Sequence, residues 1–224
     1  MGLARFPYLG MSLALFVLLL AGLLARPHQR KLTLLSAALQ APFGLLSVFF
    51  VPDYWEPARV FSFGTGAGVE DLLFSFASGG LAWLLATSLL DARIEAEIEP
   101  RKVLVRFAAF AVPGLATGVL LWWSGFGPMN ATIVVAAVAT TVLAWRQRGD
   151  LRLSAAGAVG FGLLYPAVLK GAYELWPHFP DQWSSAGAWG LSVWGLPLEE
   201  IVWAVGGGAV WPLFVAYLVD ARAS

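Results

Sequence analysis

The 224-residue chain contains no cysteine, only two histidines and few charged residues. Without cysteine it forms no disulfide, has no catalytic thiolate and holds no iron–sulfur cluster through thiolates. The histidines, His28 and His178, lie in predicted loops, which argues against a histidine-rich metal centre inside the fold. Charged residues make up 12% of the chain and the formal net charge is zero. Nothing in this balance indicates a nucleic-acid partner.

Hydrophobic residues, in contrast, make up 59% of the chain, and the mean hydropathy is +0.74. A helix needs about 20 mostly apolar residues to cross a bilayer. Seven stretches meet this requirement: 8–25, 32–51, 69–90, 103–124, 131–145, 153–173 and 198–219. They are too long and too uniformly apolar for the strands of a membrane barrel. The sequence therefore predicts an all-α, polytopic membrane helical bundle, in which the first stretch is a retained span rather than a cleaved signal peptide.

Basic residues are concentrated in alternate connections between these spans. The connections on the other side hold a single arginine, Arg59. The positive-inside rule then predicts a multi-pass protein of the cell membrane with its N-terminus outside and its C-terminus in the cytoplasm. The basic residues on the predicted cytoplasmic side are Arg26, Arg30, Lys31, Arg93, Arg101, Lys102, Arg106, Arg146, Arg148, Arg152 and Arg222.

Two parts of the sequence resemble each other at a nearly constant offset. Glu70-Asp71 opens the third span and Glu199-Glu200 opens the seventh. Upstream of each pair lies a related stretch at almost the same offset, and these stretches are Pro52-Asp53-Tyr54-Trp55 and Pro180-Asp181-Gln182-Trp183. Several matches at nearly one offset predict an internal duplication.

The predicted duplication divides the chain into three parts. Residues 1–95 form a first three-helix repeat, residues 96–128 a connecting transmembrane helix, and residues 129–224 a second three-helix repeat. Equivalent helices are separated by an even number of spans, so both repeats have the same orientation. The pseudo-twofold axis then runs along the membrane normal and brings the two acidic pairs to the same depth.

The acidic pairs have two interpretations. Acids in the first turn of a helix interact favourably with its dipole, so they are helix caps in the first interpretation. In the second they are functional, because ionisable groups at membrane depth are expensive and the pair recurs in both repeats. Adjacent helical residues lie about 100° apart, so one acid of each pair faces the interior. Glu70 shares a face with Phe74, and Glu199 shares a face with Trp203, so an aromatic ring lies one turn from an acid in each repeat.

These groups suit acid catalysis in an apolar pocket. Burial and a neighbouring carboxylate both favour the protonated form of a carboxyl group. Such an acid can protonate a carbon–carbon double bond, and an ionised neighbour together with aromatic faces can stabilise the resulting carbocation. This chemistry needs no cofactor or metal, and the sequence has no phosphate-binding glycine loop, metal-ligand spacing or Asp-rich diphosphate motif. The predicted catalytic residues are Glu70, Asp71, Glu199 and Glu200.

Two long connections on the predicted outer side, 52–68 and 174–197, are rich in tryptophan. They form either an aromatic belt at the membrane interface or a lid over a cavity that takes a lipid. In the second interpretation they contribute to substrate binding together with Phe74 and Trp203. The residues expected to do so are Asp53, Trp55, Trp183 and Trp194.

Pro197-Leu198-Glu199-Glu200, at the start of an apolar helix, resembles the P-x-E-E signature of the heterodimeric-type lycopene cyclases. These small membrane polypeptides act in pairs or are fused in tandem. The first repeat departs from the signature, because it reads Gly68-Val69-Glu70-Asp71. The resemblance implies a redox-neutral, proton-initiated cyclisation of the linear end of a carotenoid, without a consumed cofactor. Another carotenoid, a terpenoid-quinone or another prenyl lipid remains open as the substrate.

Two other classes of function also remain open. Parallel repeats, acids at an interface and glycine-rich crossings suit a proton-coupled carrier. A lipid-binding or assembly protein without catalysis needs the same apolar cavity but not the acids. In each case the expected partners are a hydrophobic prenyl lipid or carotenoid and the membrane lipids, and the sequence leaves open whether the bundle forms homo-oligomers.

Overall fold

Seven helices of the computed structural model are long and apolar enough to cross a membrane, within the residues that the structure describes, which are 5–91, 94–96, 98–146, 151–184 and 189–223. The α-helical parts of these spans are α1 (Pro7–Ala25), α2 (Arg30–Gln40), α3 (Val69–Leu89), α4 (Pro100–Leu121), α5 (Pro128–Arg146), α6 (Leu151–Leu175) and α7 (Leu198–Leu218). The second span, Pro27–Phe49, also includes 3-10 segments on both sides of α2, and the fourth, Pro100–Phe126, includes the turn after α4. The ends of each predicted span fall within five residues of the ends of one of these membrane-spanning segments. The all-α, multi-pass membrane bundle predicted from hydropathy is therefore confirmed.

Short elements extend or connect the helices. Three 3-10 segments cover Pro27–Gln29, Ala41–Phe49 and Pro180–Gln182, and a π-helical turn covers Trp122–Phe126. There are four two-residue strands in the described residues: β1 (Ile94–Glu95), β2 (Ser192–Val193), β3 (Leu196–Pro197) and β4 (Arg222–Ala223). β1 pairs with β4 and β2 pairs with β3, both antiparallel.

The second span changes its helical geometry at Pro42. The α-helical part ends at Gln40, and the chain continues as the 3-10 segment Ala41–Phe49. In this segment Gly44 packs against the first turn of α3, and a Cβ atom at Gly44 would lie 2.3 Å from the carbonyl oxygen of Asp71. Only a residue without a side chain allows this approach. The second span thus holds the start of α3, which carries the first acidic pair.

The helices that carry the acidic pairs are the best buried spans. α3 and α7 lie in the middle of the bundle and α4 is the most exposed span. Both helices end in the same way, because Asp91 and Asp220 follow them with φ angles of 46° and 47°. Aspartate tolerates this left-handed conformation better than most residues. The two aspartates are related by the same offset that relates Glu70 to Glu199 in the sequence.

The outer loops pair with each other through equivalent residues. Trp55 and Trp183 form an antiparallel bridge. Beside it the N–H of Glu56 donates to the carbonyl of Gln182, and the N–H of Ser184 donates to the carbonyl of Tyr54, both at 2.8 Å. The offset that relates Trp55 to Trp183 also relates the two donors, Glu56 and Ser184, and the two acceptors, Tyr54 and Gln182. The two hydrogen bonds therefore correspond to each other.

At the opposite end of the bundle the pairing of β1 with β4 places Ile94 opposite Ala223. These residues are also equivalent, at the offset that relates Glu70 to Glu199. Contacts between equivalent residues at both ends are those expected around a twofold axis. The duplication, and with it the division into residues 1–95, 96–128 and 129–224, stays a prediction. Arg93 and Arg148, which entered the prediction of orientation, lie outside the described residues.

Candidate functional site

A partly enclosed cavity of about 350 Å³ lies between the helices and the two outer loops. Most of its lining is apolar, and all seven helices contribute to it. Its size falls in the range of small-molecule sites, which are typically apolar with a few convergent polar groups. Here the convergent groups include Asp71 at the start of α3 and Glu200 at the start of α7. The predicted meeting of the two acidic pairs at one cavity is thus observed for the second acid of each pair.

The first acid of each pair turns away from this cavity. Glu70 is buried, and its Oε1 accepts hydrogen bonds from the backbone N–H groups of Val60 at 2.5 Å and Phe61 at 3.3 Å. Glu199 is buried as well, but it faces a separate, smaller cavity. Residues three and four apart both share a helix face, so the aromatic residues are compatible with either acid. In the first pair the backbone N–H groups of Val60 and Phe61 bind Glu70 on the side of the loop, and Asp71 faces the cavity.

Asp71 is an ion-paired carboxylate. Arg59 donates from Nε to Oδ2 at 2.8 Å and from Nη2 to Oδ1 at 3.2 Å. The hydroxyl of Tyr8 donates to Oδ1 at 3.0 Å, and the N–H of Gly68 donates to Oδ2 at 2.7 Å. The last contact is the helix cap that the first interpretation of the acids predicts. Only 6% of the Arg59 side chain and 2% of the Asp71 side chain are exposed, so the pair is buried and its carboxylate is fully satisfied.

Glu200 has a different environment. Its Oε1 accepts from the Tyr54 hydroxyl at 2.8 Å and from Trp183 Nε1 at 3.0 Å, and its Oε2 accepts from the Tyr165 hydroxyl at 2.6 Å. Among the described residues no lysine or arginine contacts it. Burial, the largest cause, raises the pKa of Tyr54 well above its usual value, so this phenol keeps its proton and remains a donor. Glu200 is thus held by three uncharged donors, whereas Asp71 is held by a cation.

The sequence explains this difference between the two acids. At the offset that relates Trp55 to Trp183, the position equivalent to Arg59 is Gly187. The stretch before Glu200 therefore has no arginine at the position that corresponds to Arg59 by this offset. At Glu200 a hydrogen bond comes instead from the hydroxyl of Tyr165 on α6, and this residue also lines the cavity.

Three aromatic rings lie next to Glu200 in the cavity wall. Phe74 and Trp203 are related by the sequence offset that relates Glu70 to Glu199, and their rings stack with centroids 5.9 Å apart and an interplanar angle of 24°. Tyr165 lies 5.3 Å from Trp203 and 5.9 Å from Phe74. Aromatic faces attract cations through their quadrupole. The two predicted aromatic residues therefore lie together, beside an acid, as the sequence suggested.

The outer loops contribute to this cavity in part. Trp55 and Trp183 line it, as the lid interpretation predicts. Asp53 is exposed and 74% of Trp194 is exposed, and neither residue lines either cavity. The structure therefore gives no support for substrate contacts from Asp53 and Trp194.

The sequence did not identify four polar side chains that bind the two acids of the cavity: Tyr8, Tyr54, Arg59 and Tyr165. Arg59 could have been identified from the sequence, because it is the single basic residue in the outer connections. Tyr54 could also have been identified, since it lies inside the repeated stretch that begins at Pro52. Tyr8 and Tyr165 lie within apolar spans, and their roles follow only from the packing of α1 against α3 and of α6 against α7.

Fold and site together define a seven-helix membrane protein whose apolar cavity contains one ion-paired carboxylate and one carboxyl group bound by phenols and an indole. Comparison of the chain with protein-family models, with curated proteins and with solved structures gives no match.

Proposed function

We propose that the protein is an integral-membrane cyclase that acts on the linear end group of a carotenoid or a related prenyl lipid, with Glu200 as the proton donor. The observation that carries this proposal is the environment of Glu200. Its carboxyl group is buried in an apolar cavity, is bound by three uncharged donors and lies beside stacked aromatic rings. The resemblance of Pro197-Leu198-Glu199-Glu200 to the signature of lycopene cyclases suggests the substrate class.

In the proposed reaction Glu200 acts in its neutral form. Its proton adds to the terminal carbon–carbon double bond of the substrate and creates a tertiary carbocation. A second double bond of the chain donates its electron pair to this cation, so a carbon–carbon bond closes the ring and the positive charge moves into the ring. The carboxylate of Glu200 then removes a proton from a ring carbon, which forms the ring double bond and restores the acid. One proton enters and one leaves, so the reaction is an isomerisation.

The other groups of the cavity have supporting roles in this proposal. Asp71 forms a buried ion pair with Arg59 and lies in the wall of the cavity. Phe74 and Trp203 offer aromatic faces to the carbocation. Tyr54, which stays protonated, orients the carboxyl group of Glu200 through its hydrogen bond.

The proposal predicts that membranes containing the protein convert lycopene into ring-bearing products of unchanged mass. In D2O each ring formed should carry one deuterium, because the donated proton comes from an exchangeable carboxyl group. Glu200→Gln should lower turnover at least about 100-fold, since positioned acids contribute roughly 10²–10⁴-fold to such steps. Asp181→Asn, in the outer loop that carries Trp183 and 73% exposed, is the matched control and should retain turnover.

Other outcomes would assign the cavity differently. Binding of lycopene without any ring-bearing product would indicate a lipid-binding protein, and substrate-dependent proton flux into liposomes without chemical change would indicate a carrier. Full turnover by Glu200→Gln would show that another group donates the proton.

We also propose an orientation in the membrane, with the N-terminus and the site on the outer side and the C-terminus in the cytoplasm. The support is the distribution of basic residues over the connections. In this orientation the loops that carry Tyr54 and Trp183 lie outside, and the substrate is cyclised near the outer surface.

A further inference from the structure

A second cavity, of about 220 Å³, lies at the start of α7. It is separate from the cavity of the proposed cyclase site, although Trp183 lines both. Its walls come from the end of α6, from the outer loop and from the β2–β3 hairpin. Since α7 spans the membrane, its first turn lies at a membrane surface. The cavity is therefore placed where lipid headgroups and solutes of the aqueous phase meet the protein.

Two polar groups of this cavity have no partner among the described residues. Glu199 is 0% exposed, and within the described part of the chain neither of its carboxyl oxygens has a hydrogen-bond partner. The hydroxyl of Tyr173 is buried without a partner as well, and both residues line the cavity. Buried polar groups are almost always hydrogen-bonded, because an unpaired one costs about 1–3 kcal/mol. A carboxylate at Glu199 needs donors and a neutral carboxyl group needs an acceptor, so either form requires a partner that the described residues do not supply.

The residues that line the cavity indicate which kind of ligand would supply this partner. Its orphaned groups are the carboxyl of Glu199 and the phenol of Tyr173, its walls include the ring of Trp183, and no lysine or arginine lines it among the described residues. The positive end of the α7 dipole also interacts favourably with an anionic side chain in the first turn. Acceptor oxygens beside aromatic rings are suited to an organic cation with N–H donors.

We propose that this cavity binds a primary ammonium group, with N–H groups donating to Glu199 and Tyr173 and the charge held beside the ring of Trp183. The ammonium group comes either from a free amine or from the ethanolamine headgroup of a lipid. The proposal is independent of the cyclase activity, because it concerns another cavity and another acid.

The first test is thermal unfolding of the full-length protein in detergent with ethylammonium chloride, against equal concentrations of sodium chloride. A ligand that binds only the folded state raises the melting temperature in a saturable way. We expect this shift in the wild type, its loss in Glu199→Gln and its reduction in Tyr173→Phe. Asp181→Asn removes an exposed acid of the same loop and should keep the shift. Each shift is measured within one variant, so differences in basal stability do not enter.

A second measurement distinguishes the sources of the ammonium group. In nanodiscs, native mass spectrometry should show retained phosphatidylethanolamine in preference to phosphatidylcholine, whose trimethylated headgroup has no N–H donor, if a lipid is the natural ligand. A response to ethylammonium without this preference would identify a free amine. The proposal is overturned by an equal response to both salts, or by an ethylammonium shift that survives in both Glu199→Gln and Tyr173→Phe. Neither measurement contains a prenyl substrate, so a negative result in either one is distinct from a failure of the cyclase proposal.

Discussion

At the scale of single residues, the two acids that line the main cavity are stabilised by different means. Asp71 has a buried arginine as its counter-charge, whereas Glu200 has phenol and indole donors. A charged group in an apolar interior is costly unless it is paired and hydrogen-bonded. Arg59 thus gives one acid a counter-charge, while no cation contacts the other among the described residues. This contrast is what makes Glu200 the candidate for transferring a proton.

Removing Arg59 should destabilise the fold strongly. Arg59→Met leaves the carboxylate of Asp71 buried without its cation, and breaking a buried ion pair costs about 3–5 kcal/mol. The double variant Arg59→Met/Asp71→Asn should recover a large part of this loss, because the uncompensated charge is gone. Chemical unfolding in detergent measures both changes.

Arg26→Met is the matched control for that experiment. Its partner Asp91 is 88% exposed, and an exposed ion pair contributes less than about 1 kcal/mol. Equal losses in Arg59→Met and Arg26→Met, or no recovery in the double variant, would contradict the role given to Arg59.

The sequence predicted which residue types form the site better than how they are arranged. The repeated acids and the aromatic residues Phe74 and Trp203 were identified because they recur at one offset. The inward orientation of Asp71 and Glu200 could not be predicted, because residues three and four apart both share a helix face with the aromatic ring. In the first pair the choice is made by the backbone N–H groups of Val60 and Phe61 in the preceding loop, which bind Glu70.

At the scale of helices, α6 and α7 approach each other through glycine. A Cβ atom at Gly208 would lie 2.4 Å from the carbonyl oxygen of Gly157, a distance that requires the backbones to separate. Gly208→Ala should therefore lower the free energy of unfolding by about 2 kcal/mol, within the range found for overpacked cores. Gly171→Ala on α6 is the control, because a Cβ atom there meets nothing within 4 Å. It should be neutral or slightly stabilising, since alanine favours helix more than glycine.

The Gly208→Ala change also bears on the site. α6 carries Tyr165 and α7 carries Glu200, and their hydroxyl–carboxyl contact is 2.6 Å long. A shift between the helices should lengthen this contact. The explanation is contradicted if Gly208→Ala unfolds at the same denaturant concentration as Gly171→Ala.

The opposite end of α7 is tied to α4 by charged groups. Arg106 donates to Asp220 at 2.6 Å, and Lys102 also pairs with Asp220. The hydrogen bonds from Arg106 and Lys102 hold the pKa of Asp220 below its usual value. A carboxyl group whose pKa is lower in the folded state adds stability above its unfolded pKa, and this stability is lost as the pH falls through the folded pKa.

Asp220→Asn should therefore be less stable than the wild type at neutral pH, and the difference should vanish in acid. Half of the Asp220 side chain is exposed, at 48%, so the expected loss is below about 1 kcal/mol. Asparagine also tolerates the left-handed backbone at this position. Melting temperatures of both proteins between neutral and acidic pH test this, and a difference that grows on acidification would contradict it.

Helix positions were the most predictable feature of the molecule. Long apolar runs bounded by proline and charged residues predict membrane spans directly, so every predicted span corresponds to a helix. The 3-10 geometry of Ala41–Phe49 was not predicted beyond an interruption at Pro42. It depends on the close approach of Gly44 to α3, which is a tertiary contact.

At the scale of the whole molecule, one cavity lies between two acids whose environments differ. Residues related by a nearly constant sequence offset meet at both ends, through Trp55 with Trp183 and through Ile94 with Ala223. The cavity itself could not be predicted from hydropathy, because loop residues such as Tyr54 and Trp183 close it. A duplicated ancestor would have the same acid and the same arginine in both halves. A later change of this arginine to glycine, at Gly187, would then give the two acids different roles.

The orientation of this bundle decides from which side of the membrane the site is reached. The absence of cysteine makes the chain suited to single-cysteine labelling, and Asp53 and Glu99 are exposed at opposite ends of the bundle. If the basic connections face the cytoplasm, a membrane-impermeant maleimide should label Asp53→Cys in intact cells and Glu99→Cys only after the cells are opened. Neither residue lines a cavity, so turnover of both variants reports that the labelled protein is folded. Labelling of Glu99→Cys, but not of Asp53→Cys, in intact cells would reverse the proposed orientation and place the cyclisation at the cytoplasmic surface.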